Sequence, residues 1–261
     1  MTPALAPGVD PHARARDWAE IQERMLVPLY EAVYARLGVG RGTRLLALGC
    51  GAGLALVMAA ARGARVAGVE NACPERLALA RERLPDGETR PRLTEGAAPV
   101  AEDASYGLIT AFQPVGCADG DAEDLTALLR ETVPSARKGA LVVLTGWGPP
   151  ECCTTSSVLK VAGKLADPLR GSSGRRAALE DVARRAGLRP EGSGRVACPF
   201  GYADADSAVR GLLSTGLFDA AAAATDPVQV AKEITEALQP YVRADGTVWM
   251  PNVFRYLIAR V

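Results

Sequence analysis

The segment from Leu45 to Glu70 constrains the fold more than any other part of the chain. It reads LLALGCGAGLALVMAAARGARVAGVE: a short apolar run, three glycines at positions 49, 51 and 53, a long apolar run and a second short one. A buried strand that turns through glycines into an apolar helix is typical of an α/β fold with a covered parallel sheet. Such a turn leaves backbone N–H groups at the edge of the sheet where ligands bind.

Alternating strand and helix patterns extend through most of the 261 residues. Strands are predicted at 44–48, 65–70, 89–96, 106–112, 141–147, 189–196 and 253–261, and helices at 54–62, 74–84, 121–132, 158–165, 177–186 and from Asp226-Pro227 onward. Short connections between these elements indicate a doubly wound α/β sheet of about seven strands. No repeat or linker is visible, so we predict a single domain, residues 1–261.

The N-terminal region predicts one long helix, from Ala13 to Leu37, with Pro28 as a kink or a restart. Its apolar residues recur at helical spacing and define the predicted buried face: Trp18, Ile21, Met25, Leu29 and Val33. Tyr30 and Tyr34 lie on a neighbouring face.

Composition excludes several function classes. Thirty basic and 30 acidic residues give no net charge, and no basic run is interleaved with aromatic residues, so no nucleic-acid partner is expected. No charge-free apolar stretch of membrane length and no leader-like N-terminus occurs, which predicts a cytoplasmic protein without a membrane partner. Six cysteines without CxxC spacing and a single histidine predict neither a metal site nor a disulfide framework.

The spacing of the glycines distinguishes between two cofactor classes. Glu70 ends the second strand, where a carboxylate can accept hydrogen bonds from both hydroxyls of a ribose. The dinucleotide fingerprint G-x-G-x-x-G would need glycine or alanine at position 54, where this chain has Leu54. The observed G-x-G-x-G instead resembles motif I of class I S-adenosylmethionine-dependent methyltransferases.

Further core segments resemble that family, and the two terminal segments resemble a small-molecule subgroup of it, distantly related to the methyltransferases of ubiquinone biosynthesis. They are VAGVE, LTEGAAPVAEDASYGLIT and SARKGALVVLTGW in the core, DWAEIQERMLVPLYEAV near the N-terminus and PNVFRYLIARV at the C-terminus. The resemblance implies a Rossmann-like sheet with an antiparallel last strand, lid helices within 1–40, a cofactor-binding core at 41–148, and substrate-side insertions and closing strands at 149–261. A helical insertion precedes the last strand.

The resemblance and the strand ends together predict the site residues. S-adenosyl-L-methionine is expected to contact Tyr30, Gly49, Cys50, Gly51, Gly53, Glu70, Asn71, Glu95, Gly96 and Phe112. The resemblance implies ribose binding by Glu70, adenine contacts by Asn71 and Glu95, and an approach of Tyr30 to the methionine carboxylate. The substrate is expected to contact Trp18, Tyr34, Gln113 and Trp147. A sulfonium methyl is already activated, so no catalytic residue is assigned.

The chain departs from the family pattern at three places. Ala47 stands where the subgroup has an acid, Gly107 replaces an aspartate, and Pro99-Val100-Ala101 replaces Leu-Pro-Phe. Three functions therefore stay open. The first is methyl transfer to a small hydrophobic or aromatic metabolite in secondary metabolism, by a monomer or homodimer. The second is an S-adenosylmethionine-binding cyclase-like enzyme or sensor without methyl transfer, and the third is a nicotinamide-dependent oxidoreductase.

Overall fold

Nine strands form two sheets in the described part of this computed structural model, residues 10–84, 91–96, 106–116, 120–166 and 178–261. The strands are β1 (Arg44–Leu48), β2 (Arg65–Val69), β3 (Arg92–Thr94), β4 (Tyr106–Val115), β5 (Ala136–Trp147), β6 (Arg189–Ala197), β7 (Phe200–Tyr202), β8 (Val248–Met250) and β9 (Val253–Arg260). The third strand is short because it begins after Pro91, which cannot donate a ladder hydrogen bond.

The main sheet has seven strands in the order β3-β2-β1-β4-β5-β9-β6. Only β9 runs antiparallel, to β5 on one side and β6 on the other. This confirms the predicted doubly wound sheet with an antiparallel last strand. The strand order reverses between β1 and β4, which are direct neighbours, so their carboxyl ends form the crevice where ligands of such sheets bind.

Helices cover both faces of the sheet. They are α1 (Pro11–Asp17), α2 (Val27–Leu37), α3 (Leu54–Ala61), α4 (Pro74–Arg83), α5 (Asp121–Thr132), α6 (Thr155–Ala166), α7 (Leu179–Arg185), α8 (Ala205–Ser214), α9 (Asp219–Ala224) and α10 (Pro227–Leu238). Helices α5 and α7 pack on one face, and most of the others contribute to the core on the opposite face. None of the helices within the described ranges combines the length and apolarity needed to cross a bilayer.

The predicted N-terminal helix is interrupted. A π-helical turn at Trp18–Gln22 and a 3₁₀ turn at Glu23–Leu26 separate α1 from α2, and Pro28 lies in the first turn of α2. Proline is tolerated there because its missing N–H would have no intrahelical partner. The predicted apolar face is buried, but Gln22 and Glu23 are buried as well. Gln22 lies at helical spacing from Trp18 and Met25, so its burial fits the predicted face, whereas Glu23 lies off that face and is buried where the π-helical turn meets the 3₁₀ turn.

The region before the last strand contains one element that the sequence did not predict. Strands β7 and β8 pair antiparallel as a two-stranded ribbon, and three residues are too few to show a clear alternation. The helix predicted from Asp226-Pro227 is confirmed as α10: the Asp226 side chain accepts a hydrogen bond from the Val228 amide at 3.2 Å, and Pro227 occupies the first turn.

Candidate cofactor site at the glycine turn

The turn between β1 and α3 adopts a backbone that favours glycine. Gly49, Gly51 and Gly53 have φ angles of 65°, 57° and 86°, in the left-handed region. The Cys50 amide donates to the Val69 carbonyl at 2.9 Å, which ties the turn to the end of β2. The predicted cofactor residues of this turn thus lie at the carboxyl edge of the sheet.

Glu70 is bound to the glycine turn itself. Its side chain is 1% exposed, and its two oxygens accept hydrogen bonds from the amides of Gly51 at 2.7 Å and Ala72 at 2.9 Å. The carboxylate therefore fixes the turn as well as standing at the predicted ribose position. Its contact with a ribose stays a prediction.

Replacing Glu70 by glutamine is expected to lower the free energy of unfolding by about 2 kcal/mol. Glutamine has one carbonyl oxygen, so one of the two amides would face an NH₂ group and lose its acceptor. Urea denaturation of both proteins measures the difference. An unchanged midpoint and slope would show that the carboxylate does not hold the turn.

A small cavity lies above this turn. Its volume is about 20 Å³, and it is lined by Trp18, Glu23, Leu26, Tyr30, Ala47, Leu48, Gly49, Cys50, Gly51, Ala55, Thr110, Phe112 and Gln113. The fold thus brings seven predicted site residues together: Trp18, Tyr30, Gly49, Cys50, Gly51, Phe112 and Gln113. Ligand pockets usually measure about 300–1,000 Å³, so a nucleotide-sized cofactor requires the covering segment to move.

The covering segment is residues 18–26, which we call the lid segment. A Cβ atom at Gly51 would lie 3.0 Å from Glu23 Oε1 and 3.1 Å from Trp18 Nε1, and one at Gly49 would lie 3.1 Å from Gln113 Cδ. Side chains, rather than backbone, therefore fill the space above Gly49 and Gly51. Side chains can change rotamer, so this space can be opened without rearranging the sheet.

Glu23 carries the most perturbed carboxyl group in the lid segment. It is 2% exposed; Oε1 accepts a hydrogen bond from the Leu54 amide at 3.2 Å, and Oε2 lies 2.9 Å from Arg83 Nη1. Burial raises its pKa to about 7, although the Leu54 amide and the Arg83 guanidinium both lower it. A carboxyl group that titrates near neutral pH in a cleft is typical of functional sites.

Three buried polar atoms around the cavity have no hydrogen-bond partner among the described residues. They are Trp18 Nε1, Thr110 Oγ1 and Gln113 Nε2. All three can donate a hydrogen bond, and unpaired buried donors are rare in folded proteins. These donors, together with the glycine cradle, fit a polar ligand that carries acceptor groups, such as the carboxylate of an amino acid.

Helices α4 and α8 and strand β7 hold the lid segment in place. The Arg76 guanidinium lies 4.1 Å from the centre of the Trp18 ring and donates from Nη2 to the Ser214 carbonyl at 2.5 Å. Tyr202 donates its hydroxyl hydrogen to Gln22 Oε1 at 2.9 Å. The lid segment is therefore fixed by a cation–π contact and buried hydrogen bonds in addition to apolar packing.

Two predicted substrate residues lie elsewhere. Tyr34 is 1% exposed, its hydroxyl donates to the Ala55 carbonyl at 2.9 Å, and it does not line the cavity. Trp147 packs against Phe254 and lines a separate cleft of about 480 Å³ with Arg195. Neither side chain lines the cavity at the glycine turn. Tyr34 joins α2 to α3, and Trp147 belongs to an aromatic cluster with Phe254.

The predicted adenine-side residues form an exposed rim. Asn71, Glu95 and Gly96 are all exposed, and Asn71 Oδ1 accepts a hydrogen bond from the Gly96 amide at 2.8 Å. The ends of β2 and β3 are thus linked at the place predicted for the adenine. The adenine contacts themselves stay predictions.

The departures from the family pattern have different structural settings. Ala47 lines the cavity. A Cβ at Gly107 would lie 3.1 Å from the Arg137 guanidinium, so this guanidinium packs directly on Gly107. Pro99, Val100 and Ala101 lie outside the described residues.

Sequence reasoning missed two residues that line the cavity, Glu23 and Thr110, and two arginines outside the lining that contact the lid segment, Arg76 and Arg83. Thr110 lies opposite Ala47 across β1 and β4, and its place near the end of the strand predicted at 106–112 was a usable signal. Glu23, Arg76 and Arg83 gave no such signal in the sequence. Helical spacing puts Glu23 beside the apolar face, and the arginines of α4 resemble an ordinary solvated surface.

Comparison with solved structures identifies the architecture. A methyltransferase from Geobacter sulfurreducens in complex with S-adenosyl-L-homocysteine matches with a TM-score of 0.52, 19% identity, and 94% of this chain and 98% of that chain covered. One from Thiobacillus denitrificans in the same type of complex matches with a TM-score of 0.53, 17% identity and the same coverage. This chain has the class I methyltransferase fold.

The same fold is found in a protein named for different chemistry. The cyclase SpnF matches with a TM-score of 0.51 and 18% identity, covering 89% of this chain and 80% of that chain. No protein-family model and no curated protein sequence matches the chain. At these identities the comparison establishes the class I methyltransferase fold. The activity has to be argued from the residues of the site.

Proposed function

We propose that the protein binds S-adenosyl-L-methionine and transfers its methyl group to a small hydrophobic or aromatic metabolite. The neighbours of the same fold that are bound to S-adenosyl-L-homocysteine support the cofactor class. The glycine turn at the switch point, with the Glu70 carboxylate beside it, supports the place of binding.

The observation that carries the cofactor assignment is the Glu23 carboxylate at the start of α3. Dinucleotides place their pyrophosphate at the N-terminus of this helix, where backbone amides and the helix dipole favour an anion. Here the Leu54 amide already binds a buried carboxylate. A pyrophosphate would meet a like charge at this position, whereas S-adenosylmethionine has no phosphate and carries positive charge. The site therefore favours the sulfonium cofactor over a nicotinamide dinucleotide.

The chain's own residues serve mainly to orient reactants and exclude water. Bound S-adenosylmethionine supplies an activated methyl group. Tyr30 and Phe112, whose ring centres are 4.8 Å apart, provide an apolar wall beside the glycine turn. The lid segment covers this wall from solvent, so that an acceptor held in line would react with little further catalytic help.

A cyclase-like role without methyl transfer is the second candidate, because SpnF shares the fold and Ala47 departs from the family pattern. The two roles differ in the fate of the methyl group. With methyl-labelled cofactor and a metabolite extract, methyl transfer predicts that label appears in a small molecule. Saturable binding without release of label would favour the second candidate.

Calorimetric titration tests the cofactor class directly. We expect S-adenosylmethionine and S-adenosylhomocysteine to bind with saturable heats, and NADH and NADPH to give none at the same concentrations. Tight binding of either nicotinamide cofactor, with no heat from the sulfonium pair, would contradict the proposal.

A further inference from the structure

Glu23 is a buried carboxylate that the lid segment, rather than the sheet, contributes to the glycine turn. Oε1 lies 3.2 Å from the Leu54 amide and 3.0 Å from the position of a Cβ at Gly51. Among the described residues, the cavity lining contains no lysine, arginine or histidine. The Glu23 charge therefore faces a cavity without a cation of its own.

We infer that Glu23 binds the positive charge of the cofactor, so that closing the lid segment and recognising the cofactor are one event. This inference rests on the proposed function. S-adenosylmethionine carries an ammonium and a sulfonium group, and both can be stabilised by a nearby carboxylate. Ala47, in the same cavity, supplies no charge, so the lid segment provides the acid that the end of β1 lacks.

The hydrogen-bond geometry leaves acceptor capacity on the Glu23 carboxylate. Oε2 is paired with Arg83, whose side chain is 32% exposed and reaches the carboxylate from outside the cavity lining. Oε1 accepts from the Leu54 amide, and the Ala52 amide also acts on the carboxyl group. A carboxylate has about four acceptor sites, so one is left for a ligand while the ion pair stays intact.

The unpaired donors of the cavity provide independent support for a ligand here. Thr110 Oγ1 is in a fully buried side chain, and Trp18 Nε1, in a side chain that is 9% exposed, lies 3.1 Å from the Cβ position at Gly51. These atoms can donate, whereas Glu23 accepts. Complementary donors and a carboxylate in one cavity match a ligand end that carries both signs of charge, as the methionine end of the cofactor does.

The test is a double-mutant cycle on the Glu23–Arg83 ion pair. Binding of S-adenosylmethionine and S-adenosylhomocysteine to the wild type, Glu23→Gln, Arg83→Gln and the double variant is measured by calorimetry at about pH 8, where most of the Glu23 carboxyl is ionised and an α-amino group still carries part of its charge. We expect Glu23→Gln to weaken S-adenosylmethionine binding about tenfold or more, as for loss of a charge-assisted hydrogen bond. Arg83→Gln is expected to stay within about threefold of the wild type.

The double variant separates recognition from a structural role of the ion pair. If Glu23 binds the cofactor, the double variant binds as weakly as Glu23→Gln. If the loss comes only from an unpaired Arg83, removing both partners restores binding, which overturns the inference. A loss shared by both cofactor forms supports the inference through the ammonium group, and a loss confined to S-adenosylmethionine supports it through the sulfonium.

The wild-type titration keeps this inference separate from the proposed function. A wild type that binds neither cofactor form refutes the proposed function, and the inference with it. A wild type that binds, with a Glu23→Gln variant within about twofold of it, refutes the inference alone. Thermal melting of each variant without cofactor confirms that the compared proteins are folded.

Discussion

Replacing Gly53 by alanine is expected to lower the free energy of unfolding by about 2–5 kcal/mol. The φ angle of Gly53 is 86°, which costs an alanine about 1–2 kcal/mol. A Cβ there would also lie 2.9 Å from Ala80 Cβ and 3.1 Å from Ala80 Cα, so α3 and α4 would have to separate. Overpacking of this kind adds about 1–3 kcal/mol. Urea denaturation measures the total.

Two further variants separate the backbone cost from the clash. Gly38 ends α2 with φ 61° and has no atom within 4 Å of its Cβ position, so Gly38→Ala reports the backbone cost alone. Ala80→Gly should recover part of the loss when it is combined with Gly53→Ala, because it removes the nearer contact. Equal losses in Gly53→Ala and Gly38→Ala would show that α3 and α4 are not closely packed at this point.

The second large effect is a pH-dependent destabilisation by Glu23. Its pKa is raised from 4.5 to about 7, so between these values the folded state holds a proton that the unfolded state has released. Stability must therefore fall as the pH rises through this window and become constant above it. We expect the wild type to lose about 3 kcal/mol relative to Glu23→Gln between about pH 4.5 and 7.5.

The comparison with Glu23→Gln isolates this contribution. Other carboxyl groups have a lowered pKa, such as the half-buried Glu180 and the exposed Asp204. They destabilise the fold only as the pH falls, and they are common to both proteins. Denaturant titrations at a series of pH values give the difference curve. A flat curve would mean that Glu23 is not buried as a carboxyl group in solution.

Several ionisable groups interact with the Glu23 charge. Arg83 and Arg76 approach from α4, Tyr30 from α2, and Cys50 from the glycine turn. Burial raises the pKa of Tyr30 and of Cys50, so both stay neutral while Glu23 titrates. The predicted pH dependence near neutrality therefore belongs to Glu23.

The pH-dependent stability and the cofactor binding of Glu23→Gln together connect stability with function. If Glu23→Gln is more stable than the wild type above pH 7 and also binds S-adenosylmethionine less tightly, stability and binding change in opposite directions. Residues kept for function at a cost in stability behave in this way. A purely structural ion pair would lower both when broken.

Local sequence determined the sheet and the turn. The apolar runs at 44–48 and 65–69 form adjacent parallel strands, and the three glycines between β1 and α3 form the predicted turn, in left-handed conformations that glycine adopts readily. Pro28 lies in the first turn of α2 and Asp226 caps the start of α10. Both positions follow from local properties, because proline lacks an N–H and the aspartate side chain can accept a hydrogen bond from a helix amide. These features depend on neighbouring residues, which the sequence shows directly.

Only the tertiary structure decided what covers the glycine turn. Helical periodicity predicted that Trp18 and Met25 are buried, but it could not say against which surface. At the π-helical and 3₁₀ turns Glu23 contacts Leu54, 31 residues away, and the Arg76 side chain of α4 packs on the Trp18 ring. Such contacts depend on the packing of distant segments and on the desolvation of a charge, and neither quantity is encoded in local spacing.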